Sequence, residues 1–154
     1  MEIADLITPD SVIASLRVAN KKQALAEMAR RGAQLTGLHE RLILDALLER
    51  ERLGSTGVGL GIAVPHGKLP GLGRLHGLFA RLERPIEYDA VDDQPVDLIF
   101  LLLAPESAGA DHLKALARIS RLLRNRAICE KLRGTDRTDG LYALLTDRTA
   151  THAA

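Results

Sequence analysis

Gly54-Ser55-Thr56-Gly57-Val58-Gly59-Leu60-Gly61-Ile62-Ala63-Val64-Pro65-His66-Gly67-Lys68 is the stretch from which the rest of the chain is read. Glycines at 54, 57, 59 and 61 disfavour a regular helix or strand in its first half and let the backbone turn or approach another group closely. Ile62-Ala63-Val64 reads as a very short buried strand that Pro65 ends. His66 follows at that strand's end, and Gly67 adds no side chain to crowd the imidazole. Two phosphate motifs fail on spacing. A dinucleotide fingerprint starting at Gly57 or Gly59 requires glycine where Ile62 or Val64 stands, and a P-loop ending at Gly67-Lys68 requires glycine at Ile62 and a hydroxyl at Leu69. The residues leave two readings of His66 open: a hydrogen-bonded histidine in a turn, or a nucleophile that a second protein must reach.

Upstream, Glu40 to Leu53 has helical spacing, with Ile43, Ala46 and Leu47 on one face. Arg50 continues that face at the last turn, whereas Glu49, Glu51 and Arg52 are expected to point elsewhere. A guanidinium on a buried stripe is costly unless it meets an anion; snorkelling to water beside the helix's negative end is the other reading. Further upstream, Thr8-Pro9-Asp10 breaks an apolar lead-in and Val12 to Leu16 reads as a first strand. Asn20 with Gln23 forms a capping box for a helix that Gly37 stops. His39, at the start of the next helix, is expected in solvent.

Downstream, a loop is expected from Leu69 to Gly73. A strand from His76 to Glu83 is ended by Arg84-Pro85, an irregular link spans Ile86 to Val91, and a turn spans Asp92 to Pro95. His76 reads as an edge or loop-end residue. Val96 to Ala104 is a strand whose continuous apolar run from Leu98 implies burial on both sheet faces, with Pro105 closing it. A helix near Asp111 carries Leu116, Ile119 and Leu123 on its stripe. His112 lies four residues before Leu116, in the first turn, either as a surface cap or at a site beyond the carboxyl end of a strand. Arg118, Arg121, Arg124 and Arg126 lack interleaved aromatics and read as a solvated or partner-facing surface rather than a nucleic-acid patch. Thr138 is expected to cap a last helix.

The 154 residues, 46% hydrophobic and 27% charged with net charge +1, suit one domain and draw the chain to neither nucleic acid nor an acidic membrane. No signal peptide is evident, and the longest apolar run is too short to span a bilayer. The single cysteine, Cys129, fits a reducing cytoplasm and reads as packed. No cluster has metal-ligand spacing. Residues 1–147 read as one domain and 148–154, with His152, as a flexible tail.

Leu48-Glu49-Arg50-Glu51, Gly54-Ser55-Thr56-Gly57 and Gly61 to Gly67 together resemble the phosphorylation-site signature of type 2 IIA domains of the phosphoenolpyruvate-dependent phosphotransferase system, the fructose/mannitol class. The likeness continues through Pro85-Ile86, Asp92 to Leu98 and Asp111-His112-Leu113, and is greatest to the stand-alone nitrogen-regulatory branch. It implies an α/β fold, a three-layer α/β/α arrangement with a small central mixed sheet flanked by helices on both faces. It also implies a phosphocarrier rather than a turnover enzyme. His66 would accept a phosphoryl group on Nε2 from an HPr-like carrier, Arg50 would neutralise its oxygens and His112 would donate a hydrogen bond. Ser55 and Thr56 would support the phosphate, with no metal or cofactor. Attack requires a neutral ring whose other nitrogen donates to a nearby carbonyl. Downstream partners would be regulatory targets or, in the sugar-specific alternative, a IIB protein for fructose or mannitol uptake. An unphosphorylated, binding-only regulator is the third reading.

Overall fold

The computed structural model describes residues 1–147; the expected tail, 148–154, lies outside them. After short 3-10 turns at Ile3–Asp5 and Pro9–Ser11, strand β1 is Val12–Leu16. Helix α1 is Lys21–Thr36, and the Asn20 side chain accepts from the Gln23 N–H while Gly37 closes the helix with φ 79°. Gln23 Oε1 accepts from Ala19 N–H at 2.9 Å, one residue earlier than a capping box requires. Helix α2 is Glu40–Arg52, capped by the His39 ring accepting from Arg41 N–H.

Three short strands follow: β2 Gly57–Gly59, β3 Ile62–Ala63 and β4 His66–Leu69. Strands β5, His76–Ile86, and β6, Val96–Pro105, are long. Helices α3 (Ala110–Arg124), α4 (Arg126–Arg133) and α5 (Thr138–Thr146) complete the domain.

The mixed sheet runs β1-β5-β6-β3-β2, with β4 also on β6. Strand β6 is its spine. Its continuous apolar run divides by alternation, as a strand buried on both faces must. Leu98, Phe100 and Leu102 pack among residues of α3, α4 and α5, including Ile119, Leu132 and Leu141. Ile99, Leu101 and Leu103 pack among residues of α1 and α2, including Leu25, Met28, Ile43 and Leu47. The expected three layers are therefore present, with one apolar cluster on each side of the sheet.

Four local expectations change. The glycine-rich segment contains a strand after all, because β2 pairs antiparallel with β3, Gly57 opposite Ala63. Gly57 leaves no room for a side chain: a Cβ there would lie 2.9 Å from Ala90 Cα. Pro65 interrupts pairing on β6 without ending it. Strand β3 pairs with Leu98 and Ile99, and β4 resumes from His66 opposite Leu102 to Leu69 opposite Pro105. Both are parallel to β6, and the Pro65 carbonyl accepts from Leu102 N–H between them. Strand β5 continues through Arg84-Pro85 to Ile86, which pairs with Val96 after a register shift. Its pairing to β1 has ended by Leu82, so the missing proline N–H breaks no bond on that side. Finally, Arg137 rather than Thr138 precedes the last helix as its cap residue.

Candidate functional site

The sheet and the two helix layers converge on His66. Arg50 lies on the stripe of Ile43 and Leu47, both buried, at the last turn of α2. Its Nη1 donates to Gly54 O at 2.8 Å, tying the helix end to the glycine-rich loop, and its Nε donates to His66 Nε2 at 3.2 Å. His66 is placed by the break at Pro65 and by β4 pairing, and its Nδ1 lies 2.9 Å from Val64 O.

These two contacts determine the tautomer. A guanidinium has donors only, so His66 Nε2 accepts, and a carbonyl only accepts, so Nδ1 carries the proton and donates. The ring is neutral with its Nε2 lone pair toward Arg50. Burial pushes the imidazole below its ordinary value of 6.5 and the Arg50 charge adds to this, against the Val64 hydrogen bond and the Glu51 charge. Gly67 has a different role from the one expected. Its open side faces α2, where a Cβ would lie 3.2 Å from Ala46 Cβ, so its lack of a side chain lets β4 approach the helix rather than clearing space at the imidazole.

His112 is the third residue of α3. Its ring centroid lies 5.4 Å from that of His66, with the planes tilted by 52°. Its Nε2 is buried and makes no hydrogen bond among the described residues. Burial, then the proximity of His66 and Lys68, holds its pKa below the ordinary imidazole value. Arg50, His66 and His112, separated by up to 62 positions in sequence, thus form one group.

The Ser55 and Thr56 hydroxyls are engaged elsewhere. Ser55 Oγ donates to Tyr88 O at 3.1 Å and accepts from Gly57 N–H at 3.0 Å. Thr56 is 3% exposed; its hydroxyl donates to Glu51 and lies 3.1 Å from the Tyr88 hydroxyl. Glu51, expected to point away, instead turns a side chain only 7% exposed into the protein and ion-pairs with Lys21 at 2.9 Å. Spacing offered a signal for it: Ile43, Leu47 and Glu51 are at i, i+4 and i+8. Tyr88, in a link without periodicity, offered none.

Of the other groups, His76 stands at a loop end, as the first residue of β5 and opposite Leu103, though β5 itself is an inner strand of the sheet. Cys129 is buried and donates to Leu123 O. Among the described residues no helix is long and apolar enough to cross a membrane, and no group of three or more His, Cys, Asp or Glu could hold a metal ion.

A mixed sheet covered by helices on both faces thus presents a neutral histidine to an arginine at an interrupted strand. Residues 5–148 match the family described as "Phosphoenolpyruvate-dependent sugar phosphotransferase system, EIIA 2", and the chain belongs to it. It is similar to a nitrogen regulatory protein of Bradyrhizobium diazoefficiens, 56% identical over 99% of this chain and 100% of that protein. A nitrogen regulatory protein of Escherichia coli K12 is 36% identical over 98% of this chain and 93% of its own length. Among solved structures, the nitrogen regulatory protein IIA-Ntr of Neisseria meningitidis superposes with a TM-score of 0.89 at 33% identity, covering 94% of this chain and 99% of that one.

Proposed function

We propose that this chain is a phosphocarrier in which His66 Nε2 accepts a phosphoryl group from the phosphohistidine of an HPr-like protein, and that the loaded and unloaded forms act as a regulator in a nitrogen-related phosphotransferase system. The observation that carries this reading is the pair of hydrogen bonds on one ring, Val64 O to Nδ1–H and Arg50 Nε–H to Nε2. They describe a neutral imidazole of single tautomer with its free lone pair held against a cation.

Transfer between two imidazoles needs alignment and charge stabilisation more than covalent help. The donor's N–P bond breaks as the Nε2–P bond forms, and the donor ring keeps the electron pair. Arg50 relinquishes the lone pair to the incoming phosphorus and turns its guanidinium to the phosphoryl oxygens. His112 Nε2, buried and without a hydrogen-bond partner among the described residues, gains an oxygen to bond, provided the ring carries its proton there. Ser55 and Thr56 shape the loop rather than touch the phosphate, since their hydroxyls already have partners. Loading adds about two negative charges beside the α2 terminus, a change that a partner protein can read.

Nitrogen regulation, rather than sugar uptake, is favoured by full-length similarity to proteins named for it. The test is reconstitution with phosphoenolpyruvate, enzyme I and HPr paralogues of the host, followed by mass spectrometry at alkaline pH. Wild type gains one phosphoryl group and His66→Ala gains none. Unmodified wild type with a carrier shown to be competent supports the binding-only reading instead. Efficient onward transfer to a fructose or mannitol IIB protein supports the sugar-specific one.

A further inference from the structure

We propose that Glu51 is a positioning residue for His66, gripping the glycine-rich loop so that the carbonyl beneath the acceptor ring stays where it selects one tautomer. The proposal deepens the phosphocarrier reading. Its structural half, the tautomer, can be measured without any phosphoryl donor.

The Glu51 side chain is 7% exposed and follows Arg50 directly on α2. The two consecutive residues hold the same loop at two points. Arg50 donates to Gly54 O, while Glu51 accepts from Thr56 N–H at 3.0 Å and from the Thr56 hydroxyl. That hydroxyl has one proton, which goes to the carboxylate. Its contact at 3.1 Å to Tyr88 is therefore accepted from the Tyr88 O–H. Lys21 Nζ neutralises the carboxylate at 2.9 Å and lies over the Tyr88 ring, 4.6 Å from its centroid.

From Thr56 the hold passes to the active ring in two steps. Thr56 O accepts from Val64 N–H at 2.9 Å, and Val64 O accepts from His66 Nδ1–H at 2.9 Å. The coupling is positional. The N–H and C=O of one residue belong to different peptide units, so no single amide carries polarisation from carboxylate to imidazole. What is transmitted is the location of Thr56, then of Val64, then of the ring. An ion pair drawn largely out of water, here with side chains 20% and 7% exposed, contributes little to stability compared with apolar residues of similar volume. A Glu51–Lys21 pair beneath a functional loop is better explained by the placement it enforces.

The experiment uses the full chain, wild type and Glu51→Gln, with Tyr88→Phe as the comparison that removes only the outermost hydroxyl. Long-range proton–nitrogen correlation of the His66 ring, above the ordinary imidazole pKa, reads the tautomer. Phosphoryl acceptance from the carrier reads the consequence. Wild type shows one Nδ1–H tautomer. Glu51→Gln shows a mixture of tautomers and accepts phosphate about tenfold more slowly, in line with losing a group that orients a reactive histidine. Tyr88→Phe keeps the wild-type tautomer and rate. A Glu51→Gln protein with wild-type nitrogen shifts overturns the proposal whatever its melting temperature, because Glu51 then only staples the loop. If Glu51→Gln does not fold, Thr56→Val, which removes one donor to the same carboxylate, takes its place: an intermediate shift supports the proposal and an unchanged ring overturns it. If the carrier fails to label wild type, the phosphocarrier reading falls, while the tautomer comparison still decides the role of Glu51.

Discussion

Arg50→Lys separates charge from geometry at the acceptor. The guanidinium reaches His66 Nε2 with Nε at 3.2 Å while Nη1 stays on Gly54 O at 2.8 Å, so one rigid fork spans the ring and the loop. A lysine keeps the positive charge but presents a point donor on a flexible stem that cannot hold both positions. Once the guanidinium has turned to the phosphoryl oxygens, the substitution therefore costs the transition state at least one hydrogen bond of the charge-assisted kind, of about 1.5–3 kcal/mol. At about 1.4 kcal/mol per decade of rate, acceptance by His66 should slow by about 10- to 100-fold. Arg50→Gln, which loses the charge as well, should be slower still. Rapid-quench measurement of phosphoryl acceptance from a loaded carrier, at saturating carrier, reports this step apart from docking. An Arg50→Lys rate within twofold of wild type would refute the reasoning, since the guanidinium geometry would then be irrelevant to transfer.

Three other outcomes follow from the structure. His66, His76 and His112 all lie below the ordinary imidazole value of 6.5, each chiefly through burial, so the unfolded chain takes up protons first as pH falls. Their contribution to stability is complete above that value and is lost as pH falls through the lowered folded values. Urea midpoints should therefore drop on acidification below neutrality, and less steeply in His76→Gln; a flat profile contradicts this. Gly57→Ala drives a methyl to 2.9 Å from Ala90 Cα and should cost about 1–3 kcal/mol of stability, read by chemical denaturation. Leu101→Ala, at a fully buried position on β6, should cost about 2–5 kcal/mol in the same assay.

Much of this architecture was legible where local chemistry decides it. The run from Leu98 to Ala104 announced a strand covered on both faces, and Asn20 and Gly37 bracketed α1 as capping physics requires. Arg50 and His112 were legible as stripe residues at helix ends. Their convergence on His66 came from family resemblance, because residues 50, 66 and 112 meet only through the pairing of β4 with β6 and the return of α3. The short strands β2 and β4 escaped notice because Gly57-Val58-Gly59 and His66-Gly67-Lys68-Leu69, three and four residues broken by glycine, have no strand character of their own; their hydrogen bonds belong to β3 and β6. The partners of Ser55 and Thr56 were not legible: Ser55 donates to the carbonyl of Tyr88, in a stretch without periodicity, and Thr56 donates to Glu51, which was read as facing away. Glu51 was misjudged because a carboxylate normally marks a solvent face, and its neutralising Lys21 is thirty residues away.

The most direct test of the whole account is the identity of the atom that takes the phosphoryl group. Phosphorus–nitrogen correlation on the carrier-treated chain, kept alkaline, should find a single phosphorylated ring, His66, with phosphorus on Nε2. Phosphorus on Nδ1 of that ring, or on His112 instead, would contradict it.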